Sequence, residues 1–304
     1  MIVVLRGGSN AVAVKQTVQE LAPFWGATMR FVLAGVLLLA IVRLTGRGLP
    51  SGRSLAGAAL YGAVGFAASY GFAYTALRDV PAGTAALLIA LVPLFTFGLA
   101  IVHGQERFRV QGLAGALIAL GGVTIVFVDQ ATAAVPPASL LLLILGTVCM
   151  AESGVIAKAI PRSDPFSTNA VAMLTGAAIL LVLSIVAGEP WAVPVPGATQ
   201  LAVGYLIVLG SVVMFALYLY GLERWTASAM SYITLLMPVV TVALAAILIG
   251  ERISASFAAG GAVILAGVYI GSFHRRAPRA TGPLPECLPE QDLEPIPPEA
   301  APAR

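Results

Sequence analysis

The chain has 304 residues, of which 59% are hydrophobic and 10% charged, with a mean hydropathy of +0.95. Those values lie outside the range of soluble domains, so the chain reads as a polytopic membrane protein in a lipid bilayer. A net charge of +3 is too small to make the sequence pI near 9.0 an argument for nucleic acid, and two cysteines with two histidines support neither a disulfide framework nor a zinc cage, so no cofactor is implied.

In chain order, apolar runs near residues 1–15, 22–43, 54–76, 82–102, 110–128, 138–158, 166–188, 198–222, 228–249 and 254–273 predict ten membrane-spanning helices. A hydrocarbon core of about 30 Å takes roughly 20 apolar residues as helix, and runs of this length without strict alternation do not suit barrel strands. The first run is short and contains Arg6. A helix of about 15 residues rises only about 22 Å. Either Arg6 snorkels to the cytoplasmic surface or the natural start lies upstream and this chain lacks part of its first helix. After Phe273 the composition turns to proline and acid, which predicts a disordered cytoplasmic tail over 274–304.

Basic residues set the orientation. With a cytoplasmic N-terminus, the inner loops and tail hold Arg43, Arg47, Arg53, Arg107, Arg109, Lys158, Arg162, Arg224, Arg275, Arg276 and Arg279, against Lys15, Arg78 and Arg252 outside. That asymmetry supports ten spans and a cytoplasmic C-terminus as well. Trp25 and Trp225 fall near the predicted interfaces, where an amphipathic ring is favoured.

Residues 77–125 and 222–270 align without a gap at an offset of 145: Pro93 on Pro238, Glu106-Arg107 on Glu251-Arg252, Gly115 and Gly122 on Gly260 and Gly267. A five-span unit is odd in number, so its second copy enters the membrane inverted. The organisation expected is therefore a first repeat over 1–128, a second over 138–273, and the tail. Inverted repeats are characteristic of transporters, because the two halves can exchange inward- and outward-facing roles.

A charge inside the bilayer is expensive, about 2.5–3.5 kcal/mol on insertion scales, so two side chains stand out. Arg30 lies about 12 Å and Glu152 about 21 Å below the outer side, in opposite repeats. Arg30 suits a substrate carboxylate or phosphate. Glu152 suits proton uptake and release, since burial favours a neutral carboxyl. The structural alternatives are that Arg30 packs on helix-end carbonyls, or that the two simply pair. Pro93 and Pro238, mid-span in matching helices, are hinge or cavity-wall candidates, or else static kinks. Asn10 and Ser9 in span one and Ser153 in span six offer hydrogen bonds. Lys15 is an outer anchor or an anion attractor at the cavity mouth. Tyr70 and Tyr74 share one face of span three and line either the outer cavity or an aromatic belt. Tyr218 and Tyr220 read as belt residues, and Asn169 and Thr175 are weaker polar candidates. Glu106-Arg107 and Glu251-Arg252 read as caps of the next helix and local pairs. The small-residue runs Gly112–Gly122 and Ala258–Gly271 predict tight packing of spans five and ten within the monomer, or a homodimer interface.

The order and double occurrence of these elements resemble the EamA-domain permeases of the drug/metabolite transporter superfamily. GGSNAVAVK over 7–15 is similar to the family's first-helix signature. Arg30-Phe31 is similar to its Arg-Phe element. Ala82 to Arg107 and Met230 to Arg252 are similar to its fourth helix and the turn after it. The resemblance spans about residues 7–273. It implies ten helices in two inverted five-helix repeats around a central cavity. It also implies secondary transport, often efflux, of a small polar metabolite such as an amino acid, commonly coupled to protons. Two departures stand out: Arg6-Gly7 replaces the expected Trp, and Glu152 occupies a position where many relatives carry an apolar or aromatic residue. No Walker-type GxxxxGK[ST] run is present, so transport would draw on a gradient. No HExxH or GxSxG motif points to an enzyme. A non-transporting scaffold or sensor acting through the tail is the competing class.

Overall fold

The computed structural model describes residues 17, 20–80, 82–127, 135–161, 163–193, 197–236 and 255–272. Span one with Asn10 and Lys15, the second-copy Pro238 and Glu251-Arg252, and the tail lie outside the described residues.

The described residues are helical and contain no strand. In chain order they form α1 (Pro23–Leu44), α2 (Gly52–Tyr61), a π-helical segment π1 (Gly62–Ala68), α3 (Ser69–Ala76), α4 (Ala82–Ile89), α5 (Val92–Val102), α6 (Val110–Phe127), α7 (Pro137–Ala159), α8 (Pro165–Val186), α9 (Gly197–Ile207), π2 (Val208–Val213), α10 (Met214–Arg224), α11 (Ala227–Ser231) and α12 (Ala255–Ser272). Five of the resulting rods are long and apolar enough to cross a membrane: Pro23–Leu44, Gly52–Ala76, Pro137–Ala159, Pro165–Val186 and Thr199–Arg224. Shorter apolar helices cover Leu87–Val102, Val110–Ile125, Ala227–Leu236 and Ala258–Gly271. The repeat offset of 145 carries 110–127 onto 255–272, the bounds of α12, and carries π1 onto 207–213, where π2 lies.

Helix ends follow local chemistry. Proline, which needs no hydrogen-bond acceptor for its nitrogen, sits in the first turn of α1, α5, α7 and α8. Asp164 caps α8 by accepting from Ser167 N at 2.9 Å. α1 and α5 each stop two residues before a glycine of positive φ, Gly46 at 67° and Gly104 at 68°. Span four was expected as one helix bent at Pro93. Instead it is broken: α4 ends at Ile89, Leu91 N reaches back to Leu88 O at 3.1 Å, and Pro93 falls in the first turn of a new helix. A ring that supplies no N–H is better placed where no intrahelical bond is required.

Packing joins α1 to α8, α6 to α12, and the α2–π1–α3 rod to α7 and α8. The α6–α12 contact is backbone on backbone. A Cβ added at Gly115 would stand 2.5 Å from Gly271 Cα, and one at Gly267 would stand 2.5 Å from Ala119 N. The predicted small-residue faces of spans five and ten therefore meet within the chain, as small-residue packing in lipid favours.

The loops gather at two ends. At one end Arg47 pairs with Asp164 at 2.6 Å, Lys158 donates to the carbonyls of Leu222 and Trp225, and Gln105 Nε2 donates to Val155 O at 2.9 Å. At the other end Glu189 accepts from Phe24 N at 3.1 Å and Trp25 N at 2.8 Å, Trp25 stacks on Trp191, and Ser139 donates to Asp79 at 2.7 Å. The first group joins loops predicted to share the basic side, and the second joins loops predicted to lie opposite.

Glu106 corrects an expectation. Its carboxylate does not cap α6, the next helix. It accepts from Ser228 N at 3.0 Å and Ser228 Oγ at 2.5 Å, at the start of α11, while pairing with Arg109 at 3.2 Å. The short turn after α5 aims the carboxylate across the bundle, where the exposed amides of another helix start are the nearest donors.

Candidate functional site

The centre of the bundle is built around Arg30, the largest fully buried side chain, at 2% exposure. It projects from the middle of α1 toward π2. Nε donates to Ser211 Oγ at 2.9 Å, Nη1 to Tyr74 Oη at 3.2 Å, and Nη2 to Gly210 O at 2.8 Å. Its guanidinium also lies over the rings of Phe31 and Tyr70, 5.2 and 5.1 Å from the centroids.

The π segments explain why these acceptors exist. In π1 and π2 the backbone bonds five residues back, as Ser69 N does to Val64 O and Met214 N to Leu209 O. The wider turn changes which carbonyls are committed within the helix, and Gly210 O is turned to Arg30. Ser211 Oγ donates to Leu206 O at 2.8 Å, which leaves its lone pairs for Arg30. Hydrogen bonds to a charged group contribute about 1.5–3 kcal/mol each. Three of them offset a burial penalty of several kcal/mol, so the cation can remain charged there without a carboxylate.

Arg30 thus sits on helix carbonyl and hydroxyl dipoles, and Glu152 is not among its partners. Tyr70 and Tyr74 are buried, at 7% and 1% exposure. They stack edge-on at 5.8 Å and join an aromatic wall with Phe31 and Phe66 around the cation. Tyr218 departs from the belt expectation: its hydroxyl packs against Gly154 of α7, because that position carries no Cβ. Tyr220 stays exposed beside Arg224, 4.2 Å from ring to cation.

Glu152 lies on α7 toward the basic end. Its Oε1 is 3.3 Å from Nε2 of His103, which caps α5, and its Oε2 is buried without a hydrogen-bond partner. Sequence reasoning passed over His103 because it is not mid-span. The available signal was that span four ends on the same side as the deep end of span six. Pro93 is buried at the start of α5. Ser153 turns onto Met150 O and packs against Gly65 of π1. Asn169 is fully buried with neither amide atom hydrogen-bonded. Thr175 is half-buried on α8.

A cavity of about 250 Å³ opens at the basic end between α7, α8 and α10, lined by Lys158, Ser163, Thr168, Leu219 and Glu223 among others. Neither Arg30 nor Glu152 lines it. Arg30 is closed to solvent, at 2% exposure.

Comparison with known proteins places this architecture. A solved crystal structure superposes with a TM-score of 0.67 at 21% identity, covering 89% of this chain and 97% of the other, which is a likeness of fold. The uncharacterized inner membrane transporter YedA of Escherichia coli is 30% identical over 265 residues, 86% of each chain. A probable terminal-alkyne amino-acid exporter of Streptantibioticus cattleyicolor is 29% identical over 79% of this chain and 81% of its own. The WAT1-related protein At3g02690 of Arabidopsis thaliana is 26% identical over 88% of this chain and 66% of its own. The family model of EamA-like transporters matches residues 1–128 and 137–273. The chain belongs to the EamA-like transporter family, within the drug/metabolite transporter superfamily.

Proposed function

We propose that the chain is a secondary transporter of the inner membrane that exports a small polar metabolite, an amino acid or a related compound, by alternating access. Its working parts would be two inverted five-helix repeats, 1–128 and 138–273, with both termini cytoplasmic. The observation that carries this reading is the Arg30 cluster. A fixed cation from the first repeat is held by a π-helical segment of the second, and π segments recur one repeat apart. Such a contact can be exchanged for a substrate anion, because the carbonyl and hydroxyl on Arg30 are neutral and a carboxylate is the stronger partner. Arg30 would then orient the substrate, with Tyr70, Tyr74 and Asn10 lining its path. Pro93 and Pro238 would serve as hinges of paired helices. Glu152 would couple transport to protons. The amino-acid exporter among the relatives supports the substrate class.

The test is proton flux in proteoliposomes across a panel of amino acids and small organic anions, comparing the native sequence with Arg30→Ala and Glu152→Gln. Substrate-dependent flux that is lost in Arg30→Ala and uncoupled in Glu152→Gln is the expected result. Flux untouched by either change returns both residues to structure.

A further inference from the structure

Resting on the proton-coupling reading of Glu152, a second residue can be assigned to that site from the geometry of His103. Its Nδ1 is 3.0 Å from the carbonyl oxygen of Leu99. A carbonyl can only accept, so Nδ1 carries a hydrogen. In a neutral imidazole Nε2 would then present a lone pair, and Nε2 is the atom that faces Glu152 Oε1 at 3.3 Å. A lone pair facing an ionised carboxylate is repulsive. The contact is attractive when the pair holds one further proton, on Nε2 as imidazolium or on Oε1 as carboxyl.

We propose that His103 and Glu152 form a one-proton dyad that latches α5 to α7 at the basic end of the bundle. Closure takes up one proton from water, and separation returns it, leaving a neutral imidazole and a hydrated carboxylate. Oε2 is buried without a hydrogen-bond partner, so Oε1 is the oxygen through which the carboxyl group meets His103. The helix that would move already has an interruption at its start. α5 is parted from α4 at Ala90-Leu91 and has Pro93 in its first turn, while its far end is tied to α7 by the dyad and by Gln105 on Val155 O.

Other charges around the pair are placed elsewhere. Cys149 lies one turn earlier on α7 and feels the charge of Glu152. The α2–π1–α3 rod presents Arg53, Tyr61, Tyr70 and Tyr74. From α10 come Tyr218, Tyr220, Glu223 and Arg224, and α4 and α11 carry no titratable side chain. Lys158 is held by the carbonyls of Leu222 and Trp225, and Glu106 by Ser228 and Arg109.

The test needs no substrate. With native cysteines replaced by serine, spin labels on Leu44→Cys and Val102→Cys, both exposed at the basic end, report the position of α5 relative to α1 in lipid nanodiscs. The distance distribution is expected to shift as the pH is varied, with the latched population favoured in acid. His103→Ala should show the unlatched distribution across the range. Glu152→Gln should stay latched across it, because its amide N–H can donate to Nε2 without an added proton. A distribution indifferent to pH in the native pair, or a shift that persists in His103→Ala, overturns the dyad. A normal shift without substrate-linked proton flux would instead overturn the coupling reading and leave the dyad standing.

Discussion

Replacing Ser211 by Ala removes two hydrogen bonds at the bundle centre. The bond from Arg30 Nε, 2.9 Å long, is charge-assisted, and the one to Leu206 O, 2.8 Å long, is neutral. The first kind contributes about 1.5–3 kcal/mol and the second about 0.5–1.5 kcal/mol, so Ser211→Ala should destabilise by about 2–4.5 kcal/mol. In an Arg30→Met background the charged bond is already gone, and the same change should cost only the neutral one. A double-mutant cycle should therefore return a coupling of about 1.5–3 kcal/mol between positions 30 and 211. Reversible unfolding by SDS titration in mixed micelles measures all four corners. A cost for Ser211→Ala that is the same with and without Arg30 would refute the reasoning, because the guanidinium would then not depend on the Ser211 hydroxyl for its stabilisation.

Three further substitutions test the packing and the end of the bundle opposite the basic loops. Gly267→Leu should destabilise by at least about 1–3 kcal/mol, since even a Cβ there meets Ala119 N, whereas Gly121→Ala has open space and should be neutral or slightly stabilising in the same assay. Glu189→Ala frees the amides of Phe24 and Trp25 at the start of α1 and should cost about 0.5–2 kcal/mol, with a change in Trp fluorescence as the Trp25–Trp191 stack loosens.

Hydropathy and charge in the sequence determined a great deal. The apolar runs matched the described helices to within about three residues at most ends, because a helix is the one way to satisfy the backbone of a single span in lipid. The basic residues predicted which loops share a side, and long-range contacts such as Arg47–Asp164 join loops so grouped. The glycine runs predicted the α6–α12 contact, since only small residues let two backbones approach that closely.

Tertiary structure alone decided which polar groups meet. Arg30 and Ser211 stand 181 residues apart, and Tyr70 and Tyr74 read as cavity lining or belt residues rather than as partners of a buried cation. Lipid is as apolar as the protein interior, so a span that is hydrophobic all round carries little sign of which face packs on which neighbour. The π registers share that origin. Gly62 packs directly on the carbonyl of Ala172, and Gly176 on Phe66, close approaches that no local pattern announces. Proline at 93 was legible as an interruption. That it opens a separate α5, whose end carries His103 to Glu152, depended on where the bundle left room for the break.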